Sequence, residues 1–163
     1  MNVALRTLLM SAVVVVSANA LALDKTIADS YAKIQAATLK KDVAALKQIW
    51  QTYVDPSCVA DHNGKKTTYK QLTAQIEPQL RAIKKVNVCK VQILNSKTKS
   101  GKTLCLVETT EQVVIPVGGK DSIFDIVSTV EDTWQKISGK YKIVGIRTIK
   151  ETIKQDGKVI QAG

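Results

Sequence analysis

The chain has 163 residues, 45% of them hydrophobic and 23% charged, with 24 Lys plus Arg against 14 Asp plus Glu and a formal net charge of +10. That length holds one sizeable core and is too short for two ordinary domains. Arginine is confined to Arg6, Arg81 and Arg147, so the positive charge is almost all lysine. Base and phosphate readout leans on the arginine fork, and no nucleic-acid partner is expected.

Residues 1–22 read as a secretory signal peptide. Arg6 supplies the positive start, Leu8 to Val16 form an apolar run broken only by Ser11, and Ala18-Asn19-Ala20 or Ala20-Leu21-Ala22 offers the small-residue cleavage pattern. The run is shorter than the roughly 20 residues a membrane-spanning helix needs, and no cysteine follows the cut sites to accept a lipid. The mature chain is expected to start near Leu21 or Leu23 and to be periplasmic or secreted. Removing Arg6 alone leaves a formal +9, which favours anionic envelope components such as headgroups, cell-wall polymers or acidic partners.

Residues 23–154 form the expected domain. Asp24 can cap a helix running toward Leu39, with Ile27, Tyr31, Ile34 and Thr38 on one stripe. Asp42 can cap a second, in which Val43, Leu46, Ile49, Trp50 and Tyr53 recur at helical spacing until Asp55-Pro56. Cys58-Val59-Ala60 reads as a brief strand ending in the Asp61-His62-Asn63-Gly64 turn, and Thr68 with Gln71 reads as a capping box for a third helix. Leu72, Ile76, Leu80 and Ile83 give that helix its apolar face, and Pro78 should kink it or mark a restart. From Val86 the period changes to two. Four long strands joined by short turns favour an antiparallel meander, with residues 155–163 as a short return strand or tail.

Three cysteines survive processing. Cys89 and Cys105 lie in consecutive strands, so a cross-strand disulfide is open to them; Cys58 is an alternative partner, and three buried thiols are another reading. The single histidine, His62, argues against a His-rich metal site, and no cofactor motif is found: Gly118-Gly119 lacks the Gly-Lys-Ser/Thr of a phosphate loop. Glu108 and Glu111 interrupt an apolar strand and should point to opposite faces. Glu108 would pair with Asp132 if the register brought them together.

Asp42-Val43-Ala44-Ala45-Leu46 ahead of the Asp61 turn, and Asp132-Thr133-Trp134-Gln135-Lys136 followed by Gly139-Lys140-Tyr141-Lys142-Ile143, resemble the NTF2-like superfamily in its SnoaL-like and DUF4440-like branch over about residues 24–150. The resemblance implies an α+β (cystatin-like) cone: three N-terminal helices packed on a curved antiparallel sheet around a mostly apolar cavity. Family members include isomerases, dehydratases and non-catalytic binding or assembly domains. In the steroid-isomerase branch an aspartate ending the first short strand is the general base, a place matched by Asp61. A tyrosine on the first helix there stabilises the oxyanion; Ile34 falls near that position, with Tyr31 one turn earlier. Trp134 and Tyr141 resemble the family's strand aromatics. With Trp50, Tyr53, Glu108 and Asp132 they make up the expected ligand pocket, against the alternative that the aromatics only fill the core.

Two functions follow. The first is a non-catalytic domain of the cell envelope that binds a small apolar ligand, an anionic envelope component or a protein, dimerising through its sheet. The second is a cofactor-independent isomerase or dehydratase-like enzyme acting on a small apolar carbonyl compound, with Asp61 as base and Tyr31 as proton donor.

Overall fold

A computed structural model describes residues 23–163; the expected leader lies outside the described residues. The first helix, α1 (Lys25–Leu39), starts at Asp24, whose carboxylate accepts the Thr26 amide at 2.8 Å. Its stripe of Ile27, Tyr31, Ile34 and Thr38 is buried together with Ala37. Asp42 caps α2 (Val43–Tyr53) by accepting the Ala45 amide at 2.9 Å, and that helix buries Leu46 and Trp50. The chain passes directly from α2 into β1 (Val54–His62). Pro56 has no N–H to give the ladder, and the pairing of β1 is irregular between Val54 and Val59.

A hairpin at Asn63-Gly64 leads to β2 (Lys65–Thr68), a strand that periodicity does not announce. The capping box at Thr68 and Gln71 is formed and opens α3 (Tyr69–Ala82), which continues through Pro78 and buries Leu72, Ile76 and Leu80. The long strands β3 (Lys85–Lys99), β4 (Lys102–Val117), β5 (Lys120–Ile137) and β6 (Lys140–Gln155) follow, then β7 (Lys158–Ala162). Two-residue turns join β3 through β7, each ending in a glycine at positive φ, such as Ser138-Gly139 at 48° and 79°. Both residues of a tight I′ hairpin turn need positive φ, which glycine adopts at little cost.

The sheet runs in the order β2-β1-β6-β5-β4-β3, with β7 also paired to β6. This corrects the expected cone of three N-terminal helices on a curved antiparallel sheet. Only α1 and α2 precede the strands; α3 is inserted between β2 and β3. The sheet is an open path whose end strands, β2 and β3, are not paired to each other, so it does not close on itself. It is also mixed, because β1 lies parallel to β6, with Ala60 opposite Ile146 and His62 opposite Thr148. Local periodicity cannot reveal a pairing between segments so distant in sequence.

All three helices pack on the same side as the sheet's buried residues: α1 against β3, α2 against β1 and β6, and α3 against β1 and β2. Along β4 every second residue from Thr103 to Ile115 is buried, and β5 alternates likewise from Ser122 to Trp134. The other face shows Leu104, Ile123, Val127 and Ile149 to solvent. The open disulfide between Cys89 and Cys105 is corrected too. Cys89 stands opposite Glu111 and Cys105 opposite Ser96; six residues along β4 at ~3.3 Å each separate them by roughly 20 Å, far beyond disulfide reach. Cys58, Cys89 and Cys105 are buried thiols outside any disulfide, and Cys89 Sγ donates to Glu111 Oε1 at 3.7 Å.

Candidate functional site

The helical stripe of α1 and the inward alternation of β5 bring Tyr31, Asp132 and Trp134 together. The Tyr31 hydroxyl donates to Asp132 Oδ2 at 2.6 Å and accepts the Trp134 indole N–H at 3.0 Å. The two rings meet edge to face, with centroids 5.8 Å apart. All three residues are fully enclosed, at 0% exposure, and Asp132 Oδ1 has no hydrogen-bond partner. Burial pushes the Asp132 carboxyl up to about 7, opposed by the Tyr31 hydrogen bond and reinforced slightly by Glu131. Burial, with Asp132 adding to it, lifts the Tyr31 hydroxyl well above its usual range. The Cys58 and Cys105 thiols are pushed up to about 12 by burial first and the Asp132 charge second. Enclosed and mutually bonded, this cluster can hold a proton; it offers no open face to a substrate.

A second polar group crosses the far end of the same face. The buried Glu151 carboxylate accepts from Ser128 Oγ at 3.3 Å and from Gln161 Nε2 of β7 at 2.6 Å, and His62 Nε2 lies 3.8 Å away. The chain terminus is drawn to it, since the Gly163 amide donates to the Glu151 carbonyl. Glu151 is a site residue beyond those the sequence motifs point to. Its signal was there, because it stands two residues before the buried Ile153 and shares its face.

The accessible geometry lies on the helical side. A cleft of about 510 Å³ between α1 and α2 has Ala36, Ala37, Ala45 and Ile49 among its lining, with Lys33, Lys40 and Tyr53. A second, of about 370 Å³, is formed by Asp24, Thr26, Lys136, Gly139, Lys140 and Tyr141, and it shares Thr52 and Tyr53 with the first. Two lysines meet the end of α2 around Tyr53. Lys33 Nζ donates to its hydroxyl at 2.9 Å, and Lys142 donates to the Gln51 and Thr52 carbonyls at the end of α2, where a cation complements the helix dipole. Lys33 Nζ also sits 5.4 Å from the Tyr53 ring centroid, and Lys136 Nζ sits 5.6 Å from that of Tyr141. The hydrogen bond to Tyr53 raises the Lys33 ammonium, which stays charged.

The expected site residues therefore fall into separate places. Tyr53 and Tyr141 line one cleft. Tyr31, Asp132 and Trp134 form the enclosed cluster, and Trp50 is buried in the core. Glu108 stands opposite Thr129 on the helix-free face, while Asp132 stands opposite Cys105 on the other, so the two carboxylates are not paired. Asp61 is half-buried at the turn, where Oδ1 accepts the Gly64 amide at 2.8 Å. Nothing local distinguishes Lys33 among so many lysines, whereas the Ser138-Gly139 hairpin sets Lys136 directly opposite Tyr141. No group of three or more His, Cys, Asp or Glu side chains suited to a metal occurs among the described residues.

Solved structures of similar shape decide the fold. A conserved protein from Planctomyces limnophilus aligns with a TM-score of 0.62 at 11% identity, covering 75% of this chain and 91% of that one. An NTF2-like protein from Cytophaga hutchinsonii aligns at 0.56 with 13% identity, covering 78% and 98%. An NTF2-like protein from Rhodospirillum rubrum aligns at 0.55 with 17% identity, covering 83% and 98%. The chain has the NTF2-like fold. At these identities the likeness is one of fold, which the NTF2-like architecture lends to many activities. No family model matches the sequence, and no curated protein matches it.

Proposed function

We propose that this chain is a non-catalytic binding domain of the cell envelope, exported by its leader, whose ligand surface is the pair of clefts meeting at Tyr53. One observation carries the reading: two half-buried tyrosines, each with a lysine ammonium near its ring, line adjoining clefts that share Tyr53 and Thr52. Ligand sites combine concave surface with a few fixed polar groups, and each cleft has both. Dimerisation through the helix-free sheet face, with Leu104, Ile123, Val127 and Ile149 exposed on it, belongs to the same reading.

The enzymatic alternative has less support. Asp61 accepts a turn amide, and Tyr31 directs its proton to Asp132 inside the core. Neither is arranged toward a shared substrate position, as a base and an oxyanion donor must be. Native and denaturing mass spectra of the protein purified from an oxidising compartment test the proposal. A small molecule released on unfolding from the wild type, and lost from Tyr53→Ala, is the expected result. A molecule retained by Tyr53→Ala moves the site elsewhere, and an empty protein at a clean dimer mass favours protein interaction over ligand binding.

A further inference from the structure

Building on the Tyr53 cleft as the ligand surface, we infer that its ligand is an acidic oligosaccharide, with sugar rings against Tyr53 and Tyr141 and carboxylates among Lys33, Lys40, Lys136 and Lys140. The charge balance of the joined clefts comes first. Four lysines line them against two aspartates, Asp24 and Asp42. Both aspartates are helix N-caps, with an oxygen turned onto the Thr26 and Ala45 amides respectively. Their charge is answered by the helix starts, which leaves the lysines to set the field along the groove.

The aromatic surface comes second. Lys136 Nζ, 5.6 Å from the Tyr141 centroid, sets positive charge beside a flat ring, while Lys33 Nζ meets Tyr53 at its hydroxyl edge rather than over a face. The complement of that pairing is a molecule carrying an apolar C–H face and an anion on one small unit, which is what a uronic acid residue presents. The lining argues against lipid: apart from Tyr53 its apolar part is Ala36, Ala37, Ala45 and Ile49, little surface for an acyl chain to pack against. Composition argues against nucleic acid, since no arginine lines either cleft.

The test is ¹⁵N NMR titration of the mature chain at low salt with three probes: hexagalacturonate, neutral maltohexaose and hexaglutamate. Hexagalacturonate should shift resonances of Tyr53, Tyr141 and their cleft neighbours, binding at least about tenfold more tightly than either other probe, the equivalent of ~1.4 kcal/mol. Tyr53→Ala should weaken it about tenfold. Lys33→Gln and Lys136→Gln should each weaken it severalfold, whereas Lys158→Gln on β7 should leave it unchanged. Tyr141→Ala, which leaves α2 untouched, serves if Tyr53→Ala does not give a folded spectrum.

Equal binding of hexaglutamate overturns the sugar, and equal binding of maltohexaose at Tyr53 overturns the acidity while leaving the cleft as a ligand site. A loss with Lys158→Gln as large as with Lys33→Gln reduces the effect to net charge and overturns the inference. Hexagalacturonate shifts that avoid Tyr53 and Tyr141, or their absence, also overturn it. If the wild-type mass adduct persists in Tyr53→Ala as well, the cleft reading falls with it.

Discussion

Replacing Asp132 by asparagine keeps the shape of the side chain and removes a carboxyl that titrates near neutrality inside the core. In the folded protein that carboxyl is raised from 3.8 to about 7, chiefly by burial. The folded state therefore holds a proton that the unfolded chain has already released between about pH 4 and pH 7. Stability falls as pH rises through that window, and the loss is complete above pH 7. At ~1.4 kcal/mol per pKa unit, the full penalty is about 4 kcal/mol, of which about 2.5 kcal/mol falls between pH 5 and pH 8. Urea unfolding of wild type and Asp132→Asn at those two pH values isolates this contribution, because every other titrating group is common to both. The wild type should lose about 2.5 kcal/mol more than the variant on going from pH 5 to pH 8. Parallel pH profiles would show that Asp132 is ionised at no unusual cost in the fold, and would refute the account of the enclosed cluster.

Tyr31→Phe strips the hydrogen bonds from both Asp132 Oδ2 and the Trp134 indole. Leaving two buried polar groups unmatched should cost about 2–4 kcal/mol in urea unfolding. Because the Tyr31 hydrogen bond lowers the Asp132 pKa, the pH profile should also move upward; an unshifted profile would sink the assignment. The thiols provide a third check. With Cys58 and Cys105 pushed up to about 12 and all three cysteines buried, a thiolate-specific chromogenic reagent at pH 8 should find no fast-reacting group in the native protein and three after unfolding. Fast reaction of any thiol before unfolding would contradict the packing described for it.

What the sequence discloses here is what short-range physics decides. Asp24, Asp42 and Thr68 announce their helices because a cap is satisfied within three residues, and Ser138-Gly139 or Asp156-Gly157 announces a hairpin because the turn needs only its own two backbones. The parallel seam between β1 and β6 is set by pairing across the whole chain, which no local pattern encodes. The same divide runs through the candidate site. Tyr31, Asp132, Trp134, Tyr53 and Tyr141 all stand out in the sequence, yet no local pattern separates those closed into the core from those lining a cleft. Lys33 approaches the Tyr53 ring only once α1 meets α2, whereas Lys136 meets Tyr141 across the local Ser138-Gly139 hairpin.

The position of β3 at the end of the sheet gives part of the lysine content a second explanation. Among the described residues no strand lies beyond this 15-residue strand, and a long sheet edge is a template for strands of other molecules. Lys85, Lys90, Lys97 and Lys99 stand exposed along it, and two identical edges brought together would set like charges against each other. Neutralising these four lysines should therefore reveal itself in solution behaviour, as concentration-dependent association, before it alters the folded monomer.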